Sequence, residues 1–258
     1  MRFIQFIADY GKKDPAFAEV MQRLMMEVPD AVISETSVAP FSTVETGFWT
    51  AQFAAAAACP EGMIVYTNTA PRKDDLEVRA KNQGEGLAYA RLKNGVEVVG
   101  VNSGYSFSFL KNFIEELWVC DVEIEGSQFR SRDFFPKVVG KTARKDYSFK
   151  KTQLQPSDLP DFPVGVIGAI DGYGNIKTTW RAKDVSVPAG AKVKVRIGQV
   201  VAEAIYADGT FEVQDGQLAL AAGSSGHEGN FLEVFLRGGS AQALFEYPRV
   251  ESKVEILA

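Results

Sequence analysis

Along the first half of the chain the spacing of apolar positions alternates between two periods. RFIQFIAD (residues 2–9) is apolar enough for a strand buried on both faces, and DPAFAEVMQRLMMEVPD (14–30) carries its apolar residues at helical spacing. AVISETS (31–37) returns as a short strand, so the three segments predict a βαβ unit. STVETGFWTAQFAAAAAC (42–59) then predicts a helix opened by a Ser/Thr cap, and GMIVYTN (62–68) a strand. Further strands are expected at GLAYARL (86–92) and VEVVGVN (96–102), a helix at SFSFLKNFIEEL (106–117), a strand at WVCDVEI (118–124) and a helix from near Ser131. Alternation of this kind predicts a doubly wound α/β domain.

The pattern changes after it. Residues 141–163, KTARKDYSFKKTQLQPSDLPDFP, combine charge, three prolines and no periodicity, which reads as a linker. From Val164 come short β-rich pieces, VGVIGAID, GNIKTTW, AKVKVRIG, LALAAG and FLEVFL, parted by Gly- and Asp-rich turns. They predict a small C-terminal β-barrel domain. The expected organisation is an α/β domain over 1–143, a linker over 144–163 and the β-barrel over 164–258.

Composition narrows the function class. Hydrophobic content of 46% with 24% charged residues is that of an ordinary soluble globular chain, and no run reaches the roughly 18 apolar residues of a membrane span. A formal charge of −5 with scattered basic residues gives no footprint for nucleic acid or an anionic membrane. The start of the chain lacks a signal-peptide pattern, so a cytoplasmic protein is expected. Cys59 and Cys120 lie in apolar stretches without metal-ligand spacing and read as small buried hydrophobes. The single histidine, His227 in SSGHEGN, rules out a His-rich zinc site and reads as a loop residue. No metal is expected.

Four stretches place small or polar residues at strand ends, where open α/β sheets bind ligands: ADYGKKD, TNTAPRKDD, VGVNSG and, in the second domain, AIDGYGNIKTT. Their order resembles the family of S-adenosylmethionine-dependent adenosyltransferases, which includes fluorinating, chlorinating and hydroxide-using enzymes, over nearly the whole chain. On that resemblance Asp9 would bind the ribose hydroxyls, Pro40-Phe41 would stand near the ribose and reaction centre, and Asn102 and Gly104 would form the family's Asn-containing turn. FRSRD (129–133) matches the segment that carries a catalytic His or Ser, with Arg132 and Asp133 also readable as a helix-start pair. In the second domain Asp171 and Asn175 would meet the methionine portion, as would Ser224 or Ser225. Phe211 would pack on adenine, and the backbone after FLEVFL, at Gly238, would read the adenine edge.

The resemblance further implies substitution at the ribose 5′ carbon, no cofactor beyond S-adenosylmethionine itself as substrate or ligand, and a homotrimer with intersubunit sites. The catalytic positions depart from the family. Pro71 fixes a register in which Ala70 stands where hydroxide-using members carry Asp and fluorinating members carry Tyr, and Arg130 stands in place of the His. The family Arg falls near Glu77 or Arg79. Candidate catalytic residues are therefore Ser131, Arg79 and Arg130. Three outcomes are open: transfer to water, transfer to another, anionic nucleophile admitted by Ala70 and Arg130, or binding without turnover.

Overall fold

The computed structural model describes residues 2–55, 60–71, 84–123, 126–209, 212–226 and 229–257. The chain divides into two compact units, Met1–Phe162 and Pro163–Ala258. Each is built on a seven-stranded sheet, with few helices, so the chain is mixed α/β.

In the first unit β1 (Arg2–Ala8), β2 (Ala31–Ser37), β3 (Ile64–Asn68) and β5 (Glu97–Val101) are parallel, while β4 (Leu87–Leu92), β6 (Ile114–Cys120) and β7 (Lys150–Leu154) extend the sheet antiparallel in the order β2-β1-β3-β5-β4-β6-β7. Helix α1 (Pro15–Glu27) begins where Asp14 accepts a hydrogen bond from Ala16 N at 2.9 Å and Pro15 occupies the first turn. Its Phe17, Val20 and Leu24 share one face and pack with Ile4, Phe6, Tyr66 and Tyr89 of the sheet. The same core takes in Phe135, Val138 and Val139 of α4 (Phe135–Ala143), which follows the short α3 (Arg130–Asp133). Helix α2 (Thr43–Ala54), capped by Ser42, lies along β1 and β3 without joining that core. Strands β4 and β5 form a hairpin whose turn puts Gly95 at φ 86°, with Gly95 N donating to Leu92 O at 2.8 Å.

Two expectations are overturned. Residues 106–117 are not a helix: a 3-10 turn at Ser108–Leu110 leads directly into β6. The buried residues of β6, Ile114, Leu117 and Cys120, recur every third position, which imitates helical spacing. Register shifts against β4, between Arg91 and Leu92, and against β7, between Val119 and Cys120, move the buried phase twice along an otherwise ordinary strand. The stretch 144–163, expected as a linker, contributes the edge strand β7 and belongs to the first unit. Its charges are partnered: Lys145 with Glu97 at 2.5 Å, Lys150 with Glu116 at 2.7 Å, Lys151 with Asp121 at 3.0 Å.

The second unit comprises β8 (Ile167–Ile170), β9 (Ile176–Arg181), β10 (Lys192–Ile197), β11 (Val200–Ala207), β12 (Leu218–Ala222), β13 (Phe231–Leu236), the short α5 (Ala241–Leu244) and β14 (Val254–Leu257). The order is β14-β10-β11-β12-β13-β9-β8. The sheet curls: Ile167 N donates to Ser252 O at 2.9 Å and Val254 N to Gly165 O at 2.8 Å, tying the segment before β14 to the first strand. Val193, Val195, Leu218, Leu220, Leu232 and Val234 alternate into its core. No described helix is long and apolar enough to cross a membrane.

Candidate functional site

Parallel pairing aligns the carboxyl ends of three strands. Ala8 is in register with Asn68, and Thr67 with Gly100. The residues that follow, Asp9 and Tyr10, Thr69 and Ala70, Asn102 and Ser103, therefore share one edge of the sheet. Strand β4 runs the other way, so its start joins them: Asn102 N donates to Gly86 O at 2.8 Å.

At this edge the Asp9 carboxylate accepts a hydrogen bond from Phe41 N at 3.0 Å. Phe41 sits in the left-handed region at φ 65° and is 55% exposed. A non-glycine residue there is held by its surroundings, and Asp9 supplies part of the hold. Tyr10 lies edge-on to Phe6, Phe17 and Phe129. Its hydroxyl is 2.6 Å from Ser131 Oγ and accepts from Asn68 Nδ2 at 3.1 Å. Tyr66 fixes the backbone of the same residue by donating to Ser131 O at 2.8 Å. Burial pushes the phenols of Tyr10 and Tyr66 well above the usual tyrosine range, so both keep their hydrogens.

Arg130 turns toward the start of β4. It donates to Glu85 O at 3.0 Å, lies 3.9 Å from the buried Glu85 carboxylate and crosses the Phe135 ring. Gly84 passes so near the guanidinium that a Cβ there would collide with Arg130 Nη2. Glu85 thus offsets a cation that the sequence leaves uncompensated. Ala70 is partly buried against the core that α1 and α4 share with the sheet. Asn102 is exposed, and its neighbour Ser103 is buried and donates to Thr69 O at 2.6 Å. Gly104, at φ 45°, packs on Thr43.

In the second unit one Asp171 oxygen accepts from Tyr173 N and Asn175 N, each at 3.0 Å, and the other from Asn175 Nδ2 at 2.9 Å. This closes the turn into β9, with Gly174 at φ 84° against Ser240. Asn175 Oδ1 is buried and has no hydrogen-bond partner among the described residues. Behind the turn Lys177, 4.0 Å from Asp171, forms a buried ion pair with Glu233. Glu233 packs under Gly223, one residue before Ser224. Ser224 is exposed and Ser225 buried. Gly238, at φ 75°, packs on Asp215 instead of the Asp171 turn.

The structure therefore brings Asp9, Phe41, Asn102, Ser131 and Arg130 to one sheet edge, and Asp171, Asn175 and the Gly223–Ser225 turn to one cluster in the other unit. Arg79, Glu77, Phe211, His227 and Cys59 lie outside the described residues. Tyr10, Asn68, Glu85, Lys177 and Glu233 are not singled out by the sequence. The signal for the first two is their position, one directly after Asp9 and the other at the end of its neighbouring strand. Among the described residues no cluster of three or more His, Cys, Asp or Glu residues fits a metal ion.

No protein-family model and no curated protein sequence matches the chain. Among solved structures it is similar to an uncharacterized conserved protein from Thermotoga maritima, with 18% identity, a TM-score of 0.75 and coverage of 98% of this chain and 99% of the other. It is also similar to a conserved hypothetical protein from Thermus thermophilus, with 20% identity, a TM-score of 0.68 and full coverage of both chains, 100% each. At these identities the likeness is one of fold.

Proposed function

We propose that the chain binds S-adenosylmethionine and transfers its 5′-deoxyadenosyl group to water, giving adenosine and methionine. The observation that carries this reading is the buried Ser131 hydroxyl, held by Tyr10 at the strand edge that also presents Asp9. The resemblance in the motifs supplies the ligand class. In its terms the first unit is a doubly wound α/β domain and the second a small β-barrel, assembled as a cytoplasmic homotrimer with the ligand between subunits.

The chemistry suits a site made largely of hydroxyls and amides. As the oxygen of water bonds to the ribose 5′ carbon, the carbon–sulfur bond breaks and its electron pair stays on sulfur. Methionine leaves as a neutral thioether, so no general acid is required. What remains is to position the nucleophile in line and release its proton to solvent. Asp9 would hold the ribose hydroxyls and Ser131 the water. Glu85 would keep the Arg130 cation from opposing the sulfonium.

A second reading, binding without turnover, is favoured by Ala70, whose methyl packs against the core where the family carries Asp or Tyr. Transfer to an anion in place of water is its counterpart for an enlarged site. Incubation with S-adenosylmethionine, with and without added halide, followed by chromatography separates the three. Equal amounts of adenosine and methionine are expected. A rise in melting temperature without product supports binding alone, and neither product nor stabilisation overturns the ligand class. Light scattering that finds a monomer counts against the assembly.

A further inference from the structure

The first unit carries a second cluster at the far end of its strands from Asn102, where Glu97 opens β5. The buried Glu97 carboxylate accepts from Tyr89 Oη and Tyr147 Oη, each at 2.8 Å, and from Lys145 Nζ at 2.5 Å. Both phenols are thereby fixed at their tips, and Phe149 meets both rings edge-on. Their faces, with that of Trp118, surround the ammonium of Lys150. Its Nζ lies 4.4 Å from the Tyr147 ring centroid, 4.8 Å from Tyr89 and 5.5 Å from Trp118. Glu116 closes the enclosure, accepting from Lys150 Nζ at 2.7 Å while Trp118 Nε1, at 3.1 Å, and Arg91 fix it in place. With 16% exposure the lysine side chain loses most of its water, and three ring faces and one carboxylate replace it.

The lysine reaches this cage because β7 carries one extra residue. Val119 pairs with Thr152 but Cys120 with Lys150, so Lys151 is passed over and Lys150 comes to the face of Trp118 and Cys120. Little else holds β7 by its side chains: it is an edge strand, none of its five residues is fully buried, and Lys151, Thr152 and Gln153 are exposed. We propose that Tyr89, Trp118, Tyr147 and Glu116 form a binding site for a primary alkylammonium, which the chain fills with its own Lys150, so that β7 is a strap held to the sheet by one cation. Glu97, Phe149 and Arg91 fix the walls through contacts that do not involve the lysine, so the site should persist without it. Aromatic faces attract a cation, and a neutral group of the same shape gains nothing comparable from them.

The test uses the full chain and amide exchange read strand by strand. Lys150→Met keeps the stem and removes the cation. Exchange in β7 should quicken about thirtyfold, the scale of a desolvated cation on aromatic faces, while β1 and β3 stay protected. Lys150→Ala removes the propylammonium portion of the side chain. Added n-propylammonium chloride should then return β7 protection to within about threefold of the wild type, whereas 1-propanol and sodium chloride should not. The wild type should not respond, because its tethered ammonium acts at a high effective concentration. In Lys150→Ala/Trp118→Leu the same addition should restore nothing. Unchanged β7 exchange in Lys150→Met, or protection lost equally in β1 and β3, overturns the strap. A Lys150→Ala chain that ignores n-propylammonium, responds as well to 1-propanol, or is still rescued without Trp118 overturns the site.

Discussion

The strand-edge cluster of the first unit centres on hydroxyls and amides, whereas the cluster behind the Asp171 turn is built from charges. Tyr10, Ser131 and Asn68 exchange neutral hydrogen bonds, and the Arg130–Glu85 pair beside them is long at 3.9 Å. Lys177 and Glu233 are in direct contact, with side-chain exposures of 8% and 7%. Neutral groups leave water at modest cost once paired, while a buried charge depends on its partner. Losing a member of the first arrangement should therefore cost less stability than losing one of the second.

The largest expected effect follows from that contrast. Lys177→Met strands a buried carboxylate and should cost about 3–5 kcal/mol, read as lost amide-exchange protection in β9 and β13, and adding Glu233→Leu should return most of it. Next, Asp171→Ala removes the acceptor of three N–H groups and should cost about 2 kcal/mol in chemical denaturation, with weaker ligand binding. Tyr10→Phe should cost only about 1 kcal/mol by the same measurement. If it destabilises as much as Lys177→Met, the contrast between the clusters is wrong.

The smallest effect concerns pH. Hydrogen bonds from Arg132, then Ser127, lower the Asp133 carboxyl to about 2. A lowered folded-state value stabilises above the unfolded carboxylate range, and that contribution is lost as pH falls through about 2. Acid titration of stability should show a shallow loss below about pH 4, the usual aspartate range, that Asp133→Asn reduces.

How much of this was readable in advance depended on whether the cause was local. Asp14 and Pro15 announce α1, and Asp9 stands out because a strand visibly ends there. The helix expected over 106–117 failed because Ile114 and Leu117 owe their spacing to a register shift against β4, a partner that sequence order does not identify. Residues 144–163 looked like a linker because Lys150 and Lys151 were read without Glu116 and Asp121, which lie some thirty positions away. The same limit hid part of the site. Asn68 reaches Tyr10 through the pairing of β1 with β3, and Glu85 meets Arg130 across 45 positions.

The hairpin of β4 and β5 has a consequence for the order of assembly. Its strands are joined by a turn of a few residues and close a short loop, whereas pairing of β5 with β3 must span the intervening chain. Pulse-labelled refolding should find the hairpin amides protected before those of β3, and the reverse order would contradict this. Ser103 meets Thr69 only once β5 has docked. The strand-end cluster should therefore be a late product of folding, and a chain arrested before docking would hold much of its secondary structure while lacking the candidate site.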